Sequence, residues 1–313
     1  MQIHHKSVDY IMISGLVLSL FVLIHWNSIS DTENYNYYTG YLKPYLKSCQ
    51  PLTWPDARAP LKLADLCISE KFLGNEHVLP FLFSFGVVVL SYLLTFEITK
   101  SYPRSILVSG LLLCSTILGW LGPTASFSAG WAFYFMASMY TIHKRPEIVG
   151  ILFFMSIASK GITFLLLPIM IWYIFKAGTK NKERALVSLG TAFGIVIVLW
   201  AMGDHNIIQH DSMMFDISRI DWNNLVYVFR SDPIQYVMLP VSTALLATSR
   251  HHLAKPILAF NLFYYSLILL LPIFSVYGMF DYRMIPQIVF MAIGVSLFDA
   301  DRLVKPFKRL LIN

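Results

Sequence analysis

Apolar residues follow one another in long runs along this chain, and short polar segments separate the runs. The runs fall at about 8–26, 78–98, 105–121, 124–142, 148–158, 162–175, 185–203, 233–249, 256–276 and 282–298. A helix needs about 20 apolar residues to cross a bilayer, and most of these runs approach that length. The pattern predicts an all-α, polytopic integral membrane protein with about ten transmembrane segments, in a single transmembrane domain over residues 1–313.

Two of the runs, 148–158 and 162–175, are short and allow two interpretations. They could be one tilted helix, because 28 residues at 1.5 Å per residue would span about 42 Å. They could instead be a broken pair that meets at Ser159-Lys160-Gly161. Short cytoplasmic loops are enriched in Lys and Arg, and only the broken pair puts 143–145 and 176–184 on one face. We therefore predict the broken pair.

This topology places both termini and most basic residues on the cytoplasmic face. Fifteen of the 24 Lys and Arg residues lie there: Lys6, Lys100, Arg104, Lys144, Arg145, Lys176, Lys180, Lys182, Arg184, Arg250, Lys255, Arg302, Lys305, Lys308 and Arg309. The outer face then carries two long loops, about 28–77 and about 204–232. We expect the plasma membrane, or the endoplasmic reticulum in a eukaryote.

The first outer loop contains a second helical pattern at about 60–73. Pro60 suits a first helical turn and Gly74 a helix stop. Leu61, Ala64, Ile68 and Phe72 fall on one face of this helix, whereas Lys62, Asp65 and Ser69 fall on another. The pattern predicts an amphipathic helix on the membrane surface.

Composition supports the membrane assignment and changes the meaning of the net charge. The chain is 56% hydrophobic and only 13% charged, against about 25% charged in soluble proteins. A net charge of +6 would suggest nucleic acid in a soluble protein, but here the basic residues lie mostly in short loops between apolar runs. We expect no nucleic-acid partner, and we expect the first run to remain as a helix because no cleavage motif follows it.

The three cysteines show no metal-ligand spacing. Cys49 and Cys67 share the first outer loop, where a disulfide could form if that loop lies outside the cell, although cysteine is also a common buried small apolar residue. Cys114 lies in an apolar run. The pairs Asp204-His205 and His210-Asp211 match no helical zinc pattern, so we assign no metal, and a divalent metal is not indicated.

Candidate chemistry begins where the first apolar run ends. Ser30 and Glu33 match a capping box, and Asp31 lies near the positive end of the following helix, so a well-capped helix over 31–45 is one interpretation. In the other, Asp31 is a catalytic base, and Glu33 combines capping with a catalytic role. Tyr35 and Tyr38 follow and would contact a lipid-borne substrate at the membrane boundary.

Two cations stand beside predicted spans on the outer face. Lys160 separates the two short runs, and Arg283 precedes the last run. Cations at such positions bind a partner or an anionic ligand, and a lipid phosphate is one candidate. Alternatively, Lys160 extends to the interface as a loop residue and Asp281 neutralises Arg283. Within the spans, we expect Glu97 to reach the interface near Lys100 and Asn261 to bond across helices.

The order of these features resembles the GT-C glycosyltransferases, multispanning enzymes that use polyprenyl-phosphate sugars and include mannosyltransferases. The resemblance rests on short pieces spread over most of the chain: Asp31 to Tyr41, Ala59-Pro60-Leu61, Phe72-Leu73-Gly74, Arg145 to Leu152, Ala158-Ser159-Lys160-Gly161, Leu167-Pro168 and Tyr282-Arg283. It implies an acid of the first outer loop as base or acceptor-orienting group, at Asp31, and basic residues that hold the donor's lipid phosphate.

The sequence thus predicts a glycosyltransferase that moves a sugar from a lipid-linked donor to a glycan, lipid or protein acceptor outside the membrane. Lys160 and Arg283 would stabilise the leaving phosphate, which needs no general acid. Membrane lipids surround the protein. Two alternatives remain open: a transporter or flippase of polyprenyl-linked sugars, which would need more polar groups at mid-membrane depth, and a non-catalytic membrane scaffold.

Overall fold

The computed structural model describes residues 38–49, 60–125, 128–178, 181–201, 233–274 and 285–297. This part of the chain is all-helical, and no β-strand occurs in it. Its α-helices are α1 (Lys43–Ser48), α2 (Pro60–Leu73), α3 (Val78–Thr99), α4 (Tyr102–Leu113), α5 (Gly130–Lys144), α6 (Val149–Ser159), α7 (Leu167–Lys176), α8 (Lys182–Ala201), α9 (Pro233–Thr248), α10 (Ala254–Phe274) and α11 (Ile285–Ser296). Short π-helical turns, Tyr38–Leu42 and Ile117–Leu121, and 3₁₀ turns, Pro146–Ile148 and Gly161–Leu166, connect some of them.

Helix α11 is the centre of the bundle. Every residue of α11 except Val295 is buried, and the helix packs against α3, α4, α5, α9 and α10. Its sequence explains this position, because a helix that is apolar on all sides has no face to turn towards water. Phe290 of α11 stacks on Phe260 with ring centroids 4.4 Å apart, and Phe135 lies 6.1 Å from it.

The chain reverses direction at Lys160, as the broken pair predicts. Near the start of α5, the Trp131 carbonyl accepts a hydrogen bond from Ser156, and the Ser156 and Thr163 hydroxyls lie 3.3 Å apart. At the other end of α5, the Tyr173 hydroxyl lies 2.9 Å from His143 Nε2. Helix α6 therefore runs away from the end of α5 and α7 returns to it. The alternative of one merged helix over 148–175 is wrong.

One helix in the described part, α3, is long and apolar enough to cross a membrane by its length and composition. Its 22 residues correspond to about 33 Å, close to the hydrocarbon thickness of a bilayer. The same part of the chain contains six shorter apolar helices of 10–17 residues. The predicted first run, 8–26, and the second outer loop, 204–232, lie outside the described residues.

The helix predicted at about 60–73 is present as α2. Pro60 begins it, and Gly74 follows it with a φ of +74°, a conformation that glycine adopts without steric cost. Its buried residues are Leu63, Asp65, Leu66 and Ser69, whereas Ile68 and Phe72 of the predicted apolar face are exposed. The bundle thus covers the face that carries Asp65.

Candidate functional site

Basic loops meet at one end of the bundle, which we call the basic end. There the Glu97 carboxylate, near the end of α3, contacts the Lys100 ammonium at 2.6 Å and the Lys144 ammonium at 2.5 Å. His251, before α10, interacts with the backbone of Ile98. Eight helix termini therefore lie together at the basic end: the ends of α3, α5, α7 and α9 and the starts of α4, α6, α8 and α10. Glu97 lies beside Lys100, as the sequence predicts, and its place at a membrane interface stays a prediction.

At the other end of the bundle, which we call the opposite end, α2 covers a buried carboxylate. The Tyr134 hydroxyl of α5 donates a hydrogen bond shared between the two Asp65 carboxylate oxygens, at 3.2 and 3.3 Å. Asp65 is 6% exposed and Tyr134 is 7% exposed. No cation of the described residues lies within ion-pair distance of Asp65.

A disulfide, a close helix contact and hydrogen bonds hold α2 in this position. Cys49 and Cys67 form a disulfide with Cα atoms 5.8 Å apart, so the bridge that the sequence left open is made. Gly130, at the start of α5, lets α2 approach closely, because an added Cβ there would lie 3.5 Å from Asp65 Oδ2 and 3.2 Å from the Phe83 ring. The far end of α2 is tied to α3 through Ser69, which donates to the Asn75 carbonyl and accepts from the Leu79 amide.

Burial dominates the electrostatics of Asp65. Because the charged carboxylate loses water at this position, burial raises the pKa of Asp65 from its ordinary value of 3.8 to about 7. The hydrogen bond from Tyr134 lowers this pKa and offsets only part of the rise. A carboxyl group with a pKa near 7 can accept a proton and release it again at neutral pH, which is what general acid–base chemistry requires.

Lys160 lies at the turn between α6 and the Gly161–Leu166 segment. Its backbone is extended, with φ −160° and ψ 112°. The Lys160 amide donates to the Ser156 carbonyl, and the Lys160 carbonyl accepts from the Thr163 amide. Because α6 ends away from the basic end and α2 packs on α6, Lys160 and Asp65 belong to the same end of the bundle.

Most other residues singled out in the sequence lie outside the described residues: Asp31, Glu33, Tyr35, Arg283 and the Asp/His pairs of 204–211. Tyr38 is described only by its backbone, which begins the Tyr38–Leu42 turn. The expected approach of Lys160 to Arg283 stays a prediction. In the described ranges, no three His, Cys, Asp or Glu side chains are grouped so that they could hold a metal ion.

Sequence reasoning missed Asp65 as a site residue. The sequence did contain a signal: Asp65 lies between Leu63 and Leu66, and Cys67 follows two positions later. A charged residue within a leucine-rich turn, close to a cysteine that can form a disulfide, indicates a helix face that the fold covers.

Comparison with known proteins gives no family for this chain. No protein-family model and no curated protein sequence matches it.

Proposed function

We propose that this chain is an integral membrane glycosyltransferase that transfers a sugar from a polyprenyl-phosphate carrier to an acceptor at the opposite end. The observation that carries the proposal is the buried Asp65 carboxyl, which burial holds near neutral pKa at the end of the bundle remote from the basic loops. The resemblance of the sequence to GT-C enzymes supports the choice of reaction.

The surface of the bundle supports a membrane location. Large apolar side chains are exposed on several helices, among them Val187 at 70%, Ile151 at 61%, Val198 at 57% and Phe175 at 55%. A soluble monomer rarely exposes apolar residues on this scale, whereas a bilayer covers them. In this proposal about ten segments span the membrane, and the basic end faces the cytoplasm because basic loops are retained there.

The position of α2 then agrees with a helix at the outer interface. Ile68, Phe72 and Leu73 are exposed at 47%, 83% and 47%, next to the exposed Lys71. Apolar side chains beside a cation suit the boundary between acyl chains and headgroups. In this arrangement the membrane holds one face of α2, and the other face presents Asp65 to the bundle.

In the proposed reaction Asp65 accepts the proton of the acceptor hydroxyl, whose oxygen attacks the anomeric carbon while the bond to the lipid phosphate breaks. The phosphate leaves as an anion and needs no proton from the protein. Lys160, at the same end, stabilises the charge on that phosphate, and Arg283 is the second cation predicted for this role. Asp31 and Glu33 are the other acids of the first loop that could serve as base, and Tyr35 and Tyr38 would contact the lipid.

The test is sugar transfer by the purified protein in detergent, with polyprenyl-phosphate sugars as donors. We expect Asp65→Asn to lower the transfer rate about 10²–10⁴-fold, because asparagine keeps the contact with Tyr134 but accepts no proton. Asp31→Asn and Glu33→Gln are the matched variants. A folded Asp65→Asn protein with the wild-type rate would reject Asp65 as the base, and loss in one of the other two would identify the base instead.

The same assay separates the enzyme from a transporter or a scaffold. A transporter moves the lipid-linked sugar across the membrane without breaking the bond between sugar and phosphate. Absence of transfer by the wild-type protein from every donor would therefore overturn the proposal.

A further inference from the structure

Several buried polar side chains of the described part have hydrogen-bonding atoms without a partner there. Among them are Trp131 with its indole Nε1, Ser159 with its hydroxyl, and Gln287 with both atoms of its amide. Their exposures are 2%, 4% and 0%. Folded proteins pair the large majority of buried polar atoms, so an unpaired set of this kind indicates a missing partner.

The three side chains lie at one level of the bundle. Phe135 and Phe290 are in contact, and Trp131 and Gln287 each lie about one turn before them, on two helices that both start at the opposite end. Helical side chains lean towards the start of their helix, so both lean towards that end. Ser156 bonds the Trp131 carbonyl at 2.6 Å, and Ser159 lies one turn further in the same direction.

The chemistry of this set is neutral. An indole N–H donates, a hydroxyl donates and accepts, and a carboxamide does both, but none of them carries a charge. An anion would require cations or several donors without an acceptor. A ring with several hydroxyl groups offers donors and acceptors together, and its C–H face packs well on an aromatic side chain such as Trp131.

We propose that Trp131, Ser159 and Gln287 bind the glycosyl unit of the donor through its hydroxyl groups. This inference rests on the proposed function and deepens it, since it separates sugar recognition from phosphate recognition. Lys160 and Arg283 would hold the phosphate, and the neutral set would hold the sugar.

The experiment compares binding of paired probes to the purified full chain. The probes are a short-chain polyprenyl phosphate and the same molecule carrying mannose, glucose or N-acetylglucosamine. We expect the wild-type protein to bind at least one sugar-bearing probe more tightly than the bare phosphate. Gln287→Leu should reduce that preference at least ten-fold while binding of the bare phosphate stays unchanged.

A second variant and a control test whether the loss of sugar preference is specific to the proposed site. Trp131→Phe retains a ring and removes only the N–H group, so it should reduce the preference as well. Asn261→Leu removes another buried amide, whose oxygen also has no partner in the described part. Its nitrogen donates to the Ser242 hydroxyl, which lies beside Gly294, about two helical turns from Gln287, so this variant should leave the preference intact. The melting temperature of Gln287→Leu without ligand should equal or exceed the wild-type value, because an unpaired amide stabilises nothing.

Wild-type preference in both Gln287→Leu and Trp131→Phe would overturn the inference and leave the proposed function standing. A wild-type protein that transfers sugar but binds no sugar-bearing probe more tightly than the bare phosphate would also overturn it. Failure of the transfer assay itself contradicts the proposed function, and that result is obtained independently of these variants.

Discussion

At the basic end, the Glu97 carboxylate lies between the ammonium groups of Lys100 and Lys144, whereas at the opposite end the Asp65 carboxyl lies against a tyrosine hydroxyl. Glu97 is 12% exposed and its partners are 67% and 44% exposed, so these charges remain hydrated and neutralise each other. Asp65 is 6% exposed, and no cation of the described residues lies within ion-pair distance of it.

The two ends therefore differ in whether their carboxyl groups can exchange protons near neutral pH. Paired charges beside water keep their ordinary ionisation and orient helices, but they exchange no protons at neutral pH. A buried carboxyl with a neutral partner is poised between its two protonation states. A disulfide and a close helix contact hold that carboxyl in place, and both are absent from the described contacts of Glu97.

The largest loss of stability is expected from a substitution that disturbs the helix packing at the basic end. A Cβ added at Gly150 of α6 would overlap the backbone of Ser188 on α8, and backbone cannot move aside cheaply. We expect Gly150→Ala to lower the free energy of unfolding by about 3 kcal/mol, measured by thermal unfolding in detergent. Gly190→Ala, where nothing lies within 4 Å of the added atom, is the control and should stabilise α8 by up to about 1 kcal/mol. Equal melting temperatures of the two variants would contradict the packing.

The disulfide gives the corresponding test at the opposite end. Replacing Cys49 and Cys67 by serine removes a bridge that spans 18 positions, and we expect a loss of about 3 kcal/mol in the free energy of unfolding. Because the bridge also holds α2 over the bundle, the double variant should lose transfer activity below its melting temperature. Cys114→Ser leaves the bridge intact and should change neither quantity.

The ion pairs of the basic end should give the smallest effect. Glu97→Gln removes the negative charge that contacts Lys100 and Lys144, and because both ammonium groups are exposed we expect a loss of about 1 kcal/mol in the free energy of unfolding. Glu147→Gln is the control, because its contact with Arg145 is 3.9 Å long and exposed, and it should change stability by less than about 0.5 kcal/mol. Transfer activity should survive both changes. Loss of activity in Glu97→Gln at full stability would place chemistry at the basic end.

Patterns along the sequence predict the features that depend on local spacing. The reversal at Lys160 follows from loop charge, the bounds of α2 follow from Pro60 and Gly74, and the bond between Asn261 and Ser242 is an example of the expected bonding across helices. The first two need only neighbouring residues or the charge of a loop, whereas the third needs only that a buried amide finds a hydrogen-bond partner on another helix.

The burial of Asp65 could not be predicted in the same way. Helix α2 carries one apolar stripe through Ile68 and Phe72 and a second apolar turn at Leu63 and Leu66. Helical periodicity does not decide which of these the bundle covers. The Cys49–Cys67 bridge and the clearance at Gly130 decide it, and both are contacts between distant parts of the chain.

The protonation state of Asp65 decides whether this carboxyl can act as a base near neutral pH. Infrared spectroscopy of the purified protein detects the C=O stretch of a protonated carboxyl group, and Asp65→Asn identifies the part of that signal due to Asp65. Because burial raises the pKa of Asp65 to about 7, the band should be present in mildly acidic buffer and disappear as the pH rises through that value. Transfer activity should rise over the same range, since a base must be deprotonated. A carboxyl that is already fully ionised in mildly acidic buffer, with no band that depends on Asp65, would contradict the account.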